Sequence, residues 1–258
     1  MKQIQSAYAG DHKSMYILPI GDVHFGNRCH NPKYLDAALR FADKNRARTR
    51  IVLMGDLLEL ATKTSVGRGV YDEAYPTQRQ FEIAVEKFKP YADLIDCIIE
   101  GNHEERIIRD TSFEIVEEFA HRIGAHDAYA RFSGIVNYTL GSGRTYSTYA
   151  WHGATGGTTE ASVMNAMLKM RETALSHIYL MGHTHKLLNF EREVMLPAPG
   201  QEAPIVMNQL FVNTGASLDH GGYGEQKGFP KSLPGYGVIQ VYADEHRKTF
   251  HKIQDLIS

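Results

Sequence analysis

Short apolar runs alternating with amphipathic stretches organise the first two-thirds of this chain. Residues 15–20 (MYILPI), 51–54 (IVLM), 95–99 (IDCII) and 178–181 (IYLM) are mostly apolar and short, as strands buried on both faces are. Asn31 followed by Pro32 is a helix opening, a capping side chain and then a proline at the first helical position. Leu35, Ala38, Leu39 and Ala42 then recur at helical spacing. Residues 77–89 predict a second helix with Phe81, Ala84, Val85 and Phe88 on one face, ended by Pro90. Residues 113–123 and 159–175 predict two more, the last free of internal Gly and Pro. Residues 145–151 alternate as a strand, and 205–212 and 238–242 read as strands joined by a glycine-rich loop over 215–237. Strand–helix alternation predicts a layered α/β fold, and the strand-rich last third predicts antiparallel strands beside it. No repeat or low-complexity linker interrupts residues 1–258, so a single domain near the upper size for one core is expected.

Composition narrows the setting. The chain is 22% charged and 43% hydrophobic, the balance of an ordinary globular protein. No stretch approaches the roughly 18 apolar residues of a membrane span, and residues 1–16 lack the apolar centre of a signal peptide, so no membrane association and a cytoplasmic location are expected. Cys29 and Cys97 form no CxxC pair, and two free thiols are the expectation in a reducing compartment. A net charge of −2 provides no global basic surface of the kind that drives non-specific nucleic-acid binding. It weighs against a processive nuclease and leaves room for a local basic patch.

The chemistry lies at the ends of the predicted strands. Gly21-Asp22-Val23-His24, Gly55-Asp56, Gly101-Asn102-His103-Glu104, His152-Gly153 and Gly182-His183-Thr184-His185 follow five of them in order. Segments of this kind project side chains at the carboxyl edge of a sheet, where open α/β folds build their sites. In extended backbone, residues two apart point the same way, which would aim Asp22 and His24 at one ion. The glycines before Asp56, Asn102 and His183 would permit turns that other residues resist. Carboxylate, amide and imidazole ligands without thiolate suit Mn²⁺, Fe²⁺, Zn²⁺ or Co²⁺. Any one segment alone reads as a turn with an ordinary histidine, and His12, His30, His121, His126, His177, His246 and His251 are read as ordinary surface or core histidines. The five together point to two adjacent divalent ions and one spare histidine, a combination whose dominant use is phosphoester hydrolysis.

The set GDVH, GDLLE, GNHE, WHG and GHTH resembles the signature of the calcineurin-like metallophosphoesterase superfamily, across residues 15–240. The resemblance implies a four-layer α/β/β/α sandwich of two mixed sheets flanked by helices, with the metals at its edge. It implies that Asp22, His24 and His185 hold one ion, that Asn102, His152 and His183 hold the other, and that Asp56 bridges them. Mn²⁺ is the first expectation for both. His103 matches the histidine that is not a ligand and sits by the scissile phosphate, where as imidazolium it would stabilise the developing charge or protonate the leaving alkoxide, with Glu104 the guess for the carboxylate that orients its ring. Attack would come from a metal-bridging hydroxide.

Departures from the pattern sort the branches. Protein serine/threonine phosphatases carry GDYVDRG where this chain has Gly55-Asp56-Leu57-Leu58-Glu59-Leu60, and the lipid A branch carries arginine where this chain has His103. DNA-repair exonucleases share the Asp-x-His, GNH and GHxH segments but are usually longer. Small bacterial and phage phosphoesterases match size and wording best. Arg106 is a candidate phosphate donor or a solvated helix arginine paired with a glutamate. Lys63, Arg68 and Tyr71, in the polar stretch after Asp56, are candidates for binding phosphate and stacking a base or sugar, or belong to a plain surface loop. The 215–237 loop is a substrate lid, a dimer contact or a wide turn. The expected function is a phosphodiesterase or nuclease acting on DNA, RNA or nucleotides. A phosphomonoesterase of small metabolites and a non-catalytic binding module are the alternatives.

Overall fold

The computed structural model describes residues 1–8, 12–62, 65, 73–157, 159–221 and 231–256. Two six-stranded mixed sheets face each other. One runs in the order β12-β11-β2-β3-β4-β5, with β2 (Ser14–Ile20), β3 (Thr49–Leu53), β4 (Ile95–Ile99) and β5 (Tyr129–Arg131) parallel, and β11 (Gly237–Tyr242) and β12 (Lys248–Lys252) antiparallel at one side. The other runs in the order β1-β6-β7-β8-β10-β9. It comprises β1 (Lys2–Tyr8), β6 (Ser133–Leu140), β7 (Thr145–Trp151), β8 (Ile178–Met181), β9 (Leu187–Leu196) and β10 (Ile205–Thr214).

The two-residue period of the central strands decides which layer each side chain joins. Ile17, Val52 and Cys97 point between the sheets, where they meet Val136, Tyr138, Ala150, Leu180 and Val212. Leu18, Ile51, Leu53 and Ile98 point the other way, under helices α1 (Pro32–Lys44), α2 (Thr77–Phe88) and α4 (Ile115–Ile123). On the far side of the second sheet, Tyr149, Tyr179 and Phe211 are covered by Val163, Met167 and Met170 of α5 (Glu160–Thr173). Burial on both faces is why β2, β3, β4 and β8 read as continuous apolar runs, and the result is the α/β/β/α sandwich expected. Asn31 caps α1 by accepting from the Lys33 N–H at 3.2 Å, with Pro32 opening the helix.

The second α-helix ends at Phe88, just ahead of Pro90, as expected. The proline ring sits at the start of a 3-10 stretch, Lys89–Leu94, that follows α2 without a break, a place where the missing N–H has no partner to lose. The short strand β5, the hairpin partner β6, and β1, β9 and β12 carry no strong apolar run and were not legible as strands. Neither Cys29 nor Cys97 is in a disulfide, and burial pushes the Cys97 thiol up to about 12, which keeps it unreactive. No helix among the described residues is long and apolar enough to cross a membrane.

Candidate metal centre

All five segments emerge at one edge of the sandwich, past the ends of β2, β3 and β4 in one sheet and of β7 and β8 in the other. The site therefore straddles the two sheets. Backbone pairing continues beyond the strands and ties the loops together: Asp22 N–H donates to Gly55 O at 3.0 Å, and His24 N–H to Asp56 O at 3.0 Å.

Convergence of the ligands does not come from strand alternation. Asp22, His24, Asp56, His183 and His185 all have positive φ, at 48°, 54°, 49°, 67° and 55°. Left-handed backbone at a non-glycine residue costs energy and persists only where the surroundings over-determine it, and such residues gather at functional sites. Glycine acts in two ways here. Gly55 takes a φ of +83° beside Glu100 and Gly101, whereas Gly101 has ordinary extended φ and is needed for space. A Cβ on Gly101 would run into the Asp56 carboxylate and backbone nitrogen. The expectation of a special turn before Asn102 is thus replaced by one of close approach, and Gly182 likewise lies against the Asp22 carboxylate.

Two ligand sets form. Asp22, His24 and His185 offer ligand atoms within 4.8 Å of one another, as do Asp56, His152 and His183. In the first, His24 Nε2 lies 3.1 Å from His185 Nε2, which lies 3.4 Å from Asp22 Oδ1. In the second, Asn102 Oδ1 lies 2.7 Å from His183 Nδ1 and 3.2 Å from His152 Nε2. Asp56 stands between the sets. Its Oδ1 accepts from the His103 N–H at 2.9 Å, and its Oδ2 faces His152 Nε2 at 3.3 Å and His24 Nε2 at 3.9 Å. Buried carboxylates with converging imidazoles fit a pair of divalent cations, because the donor atoms left free all point inward.

The neighbours of each ligand settle its orientation. His24 Nδ1–H donates to Glu59 Oε2 at 3.0 Å, and Asn27 Nδ2 donates to the same oxygen at 3.0 Å. His152 Nδ1–H donates to Met54 O at 2.7 Å, and the Asp22 carboxylate accepts from the His183 N–H at 2.9 Å. Each of these contacts leaves the inward atom available. Burial alone would lower His24 and His152. The Glu59 hydrogen bond and charge outweigh it at His24, raising that ring to about 9, and the Asp56 charge outweighs it at His152, raising it to about 10. Burial likewise opposes ionisation of Glu59 and Asp56, yet the His24 hydrogen bond holds Glu59 down to about 2, and the charges of His152 and His103 hold Asp56 well below the usual carboxylate range.

His103 opens α3 (Asn102–Thr111), a helix not anticipated this early in the chain. Its ring is oriented by Glu59, not by Glu104: Nδ1–H donates to the Glu59 carbonyl at 2.6 Å, and Nε2 faces Asp56 Oδ2 at 3.8 Å. Burial pushes the ring down to about 4, so it rests neutral with its proton on Nδ1. Glu104 is instead a buried backbone clamp. Its carboxylate accepts from the N–H groups of Asp56, Leu57, Leu58 and Gly101 at 2.7–3.1 Å, fixing the loop that presents Asp56. Behind Asp22, Ser217 N–H donates to Asp22 O at 3.0 Å, and Tyr236 Oη donates to Gly21 O at 2.8 Å. Tyr236 is buried, so this residue of the 215–237 loop contacts neither substrate nor a partner. Glu59 stood in the quoted GDLLE segment, but nothing in spacing assigned it a role, and Ser217 and Tyr236 left no sequence signal.

Arg106 lies one turn beyond His103, half-buried, and its charge is felt at that ring; among the described residues no glutamate pairs with it. Lys63, Arg68 and Tyr71 lie outside the described residues, as do 222–230 of the glycine-rich loop.

No protein-family model and no curated protein matches the chain. Solved structures similar to it include a metallophosphoesterase from Sphaerobacter thermophilus (17% identity, 93% of this chain and 88% of that one, TM-score 0.44). Wild-type Vps29 complexed with zinc from Entamoeba histolytica is similar at 12% identity over 92% of this chain and 98% of that one, TM-score 0.41. The calcineurin-like phosphoesterase YfkN from Bacillus subtilis is similar at 11% identity over 95% of this chain and 92% of that one, TM-score 0.40.

Proposed function

We propose that this protein is a dinuclear-metal phosphoester hydrolase, a phosphodiesterase acting on nucleic acid or nucleotides. The observation that carries the reading is the position of Asp56 Oδ2, which faces His24 of one ligand group and His152 of the other, with a further histidine, His103, facing the same oxygen. Asp22, His24 and His185 would hold one ion, Asn102, His152 and His183 the other, and Asp56 both; oxygen and imidazole donors suit Mn²⁺ first, with Fe²⁺, Zn²⁺ and Co²⁺ as competitors. Bound there, two such ions supply Lewis acidity toward a phosphoryl oxygen and a water acidic enough to attack at neutral pH.

The chain's own residues do the rest. His103 rests neutral, so its Nε2 must gain a proton before it can donate one to a leaving oxygen. A phosphate anion arriving beside Nε2 favours that protonation, adding to the pull of Asp56 and Glu59. The Glu59 carbonyl holds Nδ1 and so keeps Nε2 directed inward. Arg106, one helical turn away, would donate to a second phosphate oxygen. Lys63, Arg68 and Tyr71 remain candidates for the remainder of a nucleotide, because they follow Asp56 closely in the chain.

The test is hydrolysis of bis-p-nitrophenyl phosphate against p-nitrophenyl phosphate, in Mn²⁺ and in EDTA. Metal-dependent preference for the diester is expected. Preference for the monoester replaces this reading with a phosphomonoesterase. No turnover of either, together with no metal retained, returns the fold to a binding module.

A further inference from the structure

A second group of metal-ligating side chains lies away from this centre. Glu117 and His121 are one turn apart on α4 and share a face. Gly124 ends the helix in the left-handed conformation, at φ 85°, and the N–H of Ala125 reaches back to Ala120 O at 2.9 Å. That reversal folds His126, in the 3-10 turn His126–Ala128, back over the last turn of the helix. The His121 and His126 rings end with centroids 3.7 Å apart and nearly parallel, at 14°. Both rings are exposed, and Glu117 is half-buried beside them. One ligand atom from each of the three residues lies within 4.8 Å of the others. The helix arginine, Arg122, turns to Glu118 instead of Glu117, at 3.9 Å. The Lys2 ammonium donates to the carbonyl oxygens of Asp127 and Tyr129.

We infer that Glu117, His121 and His126 form a separate surface site for a borderline transition metal, Zn²⁺ in the first place. Two imidazoles and a carboxylate are the donor set such ions select over Mg²⁺ or Ca²⁺, and three protein ligands leave a fourth position open to water. One of the two exposed rings would rotate out of the stack to bring both lone pairs onto the ion. Topology keeps this site apart from the centre. The 3-10 turn precedes β5, which runs parallel to β4, whereas Asn102 lies past the end of β4, so the two sites occupy opposite edges of the sheet. A bound ion would pin the end of α4 to the start of β5.

The experiment is Zn²⁺ stoichiometry by equilibrium dialysis and elemental analysis, on metal-stripped wild type, the His121→Gln/His126→Gln double variant and Asp56→Asn. Wild type is expected to bind one equivalent more than the double variant, with hydrolysis of bis-p-nitrophenyl phosphate unchanged between them. Equal stoichiometry overturns the inference. The imidazole resonances of His121 and His126 should shift with Zn²⁺ in Asp56→Asn as in wild type, which separates this site from any failure at the centre. Zn²⁺ leaving those resonances unmoved overturns it as well. Should the double variant fail to fold, Glu117→Gln replaces it, with a tenfold weaker third equivalent expected and unchanged binding counting against the site.

Discussion

Asp56 and His103 share one small space but carry different burdens. Asp56 has one oxygen held by the His103 N–H and the other facing both ligand sets, so removing its charge removes the group common to both. Asp56→Asn is expected to abolish diester hydrolysis while circular dichroism stays native; residual turnover near wild type would sink the ligand assignment. His103 faces the same oxygen without completing either set. His103→Asn should lower kcat by roughly 10²–10⁴-fold, the usual contribution of a positioned proton donor, and leave bound metal unchanged on elemental analysis. Loss of metal in that variant would make it a ligand. The raised values of His24 and His152, about 9 and about 10, mean that both rings carry a proton at neutral pH that a metal must displace. Metal titration at pH 7 should therefore release about two protons, declining toward none as the pH rises through those values, and metal affinity should weaken as pH falls. Calorimetry in buffers of different ionisation enthalpy measures that number.

At the scale of elements, the loops matter more than the strands that deliver them. The segment after β3 is held from two helices. Glu104 on α3 receives four backbone N–H groups, and Gln80 on α2 receives those of Glu59 and Leu60 at 3.1 and 3.0 Å. Both side chains are fully buried. Glu104→Gln replaces an acceptor oxygen with an amide donor and strands buried N–H groups, at a cost of about 2–4 kcal/mol. Urea unfolding should show that loss, together with weaker metal binding; an unchanged midpoint would argue that the clamp is dispensable. These holdfasts explain why the conformation of residues 56–60 could not be read locally. Their side-chain partners for backbone N–H groups are Gln80 and Glu104, 20 or more and more than 40 residues further along the chain respectively.

For the whole molecule, acid stability depends on a histidine remote from the centre. His177, at the start of β8, has Nδ1 beside the Ser147 hydroxyl at 2.9 Å, and its ring stacks on His246 with centroids 5.3 Å apart. Burial, reinforced by the charges of His246 and Lys248, pushes it down to about 4. The unfolded chain then takes up a proton below about pH 6.5 that the folded chain refuses until about pH 4, so stability falls as pH drops through that window and is unaffected above it. Partial exposure of the ring limits the effect to about 1–2 kcal/mol. His177→Gln should flatten the wild-type decline in denaturation midpoint between pH 6.5 and 4; parallel curves for the two proteins would refute the account.

Local pattern determined much of this protein. The runs at residues 15–20, 51–54, 95–99 and 178–181 are apolar on both faces because each strand is covered on both, and that is legible without knowing what covers it. The ligand segments were legible because four of the five follow such a run and the fifth follows an alternating strand, and metal chemistry admits few residue types. What only the tertiary structure decided is how the segments converge: left-handed backbone at five ligands, two sheets packed face to face, and orienting partners drawn from residues as distant as Glu59, Ser217 and Tyr236. Strand β1 belongs with these. Its partner β6 lies more than 120 residues away, and a pattern confined to a few residues holds no record of such a partner.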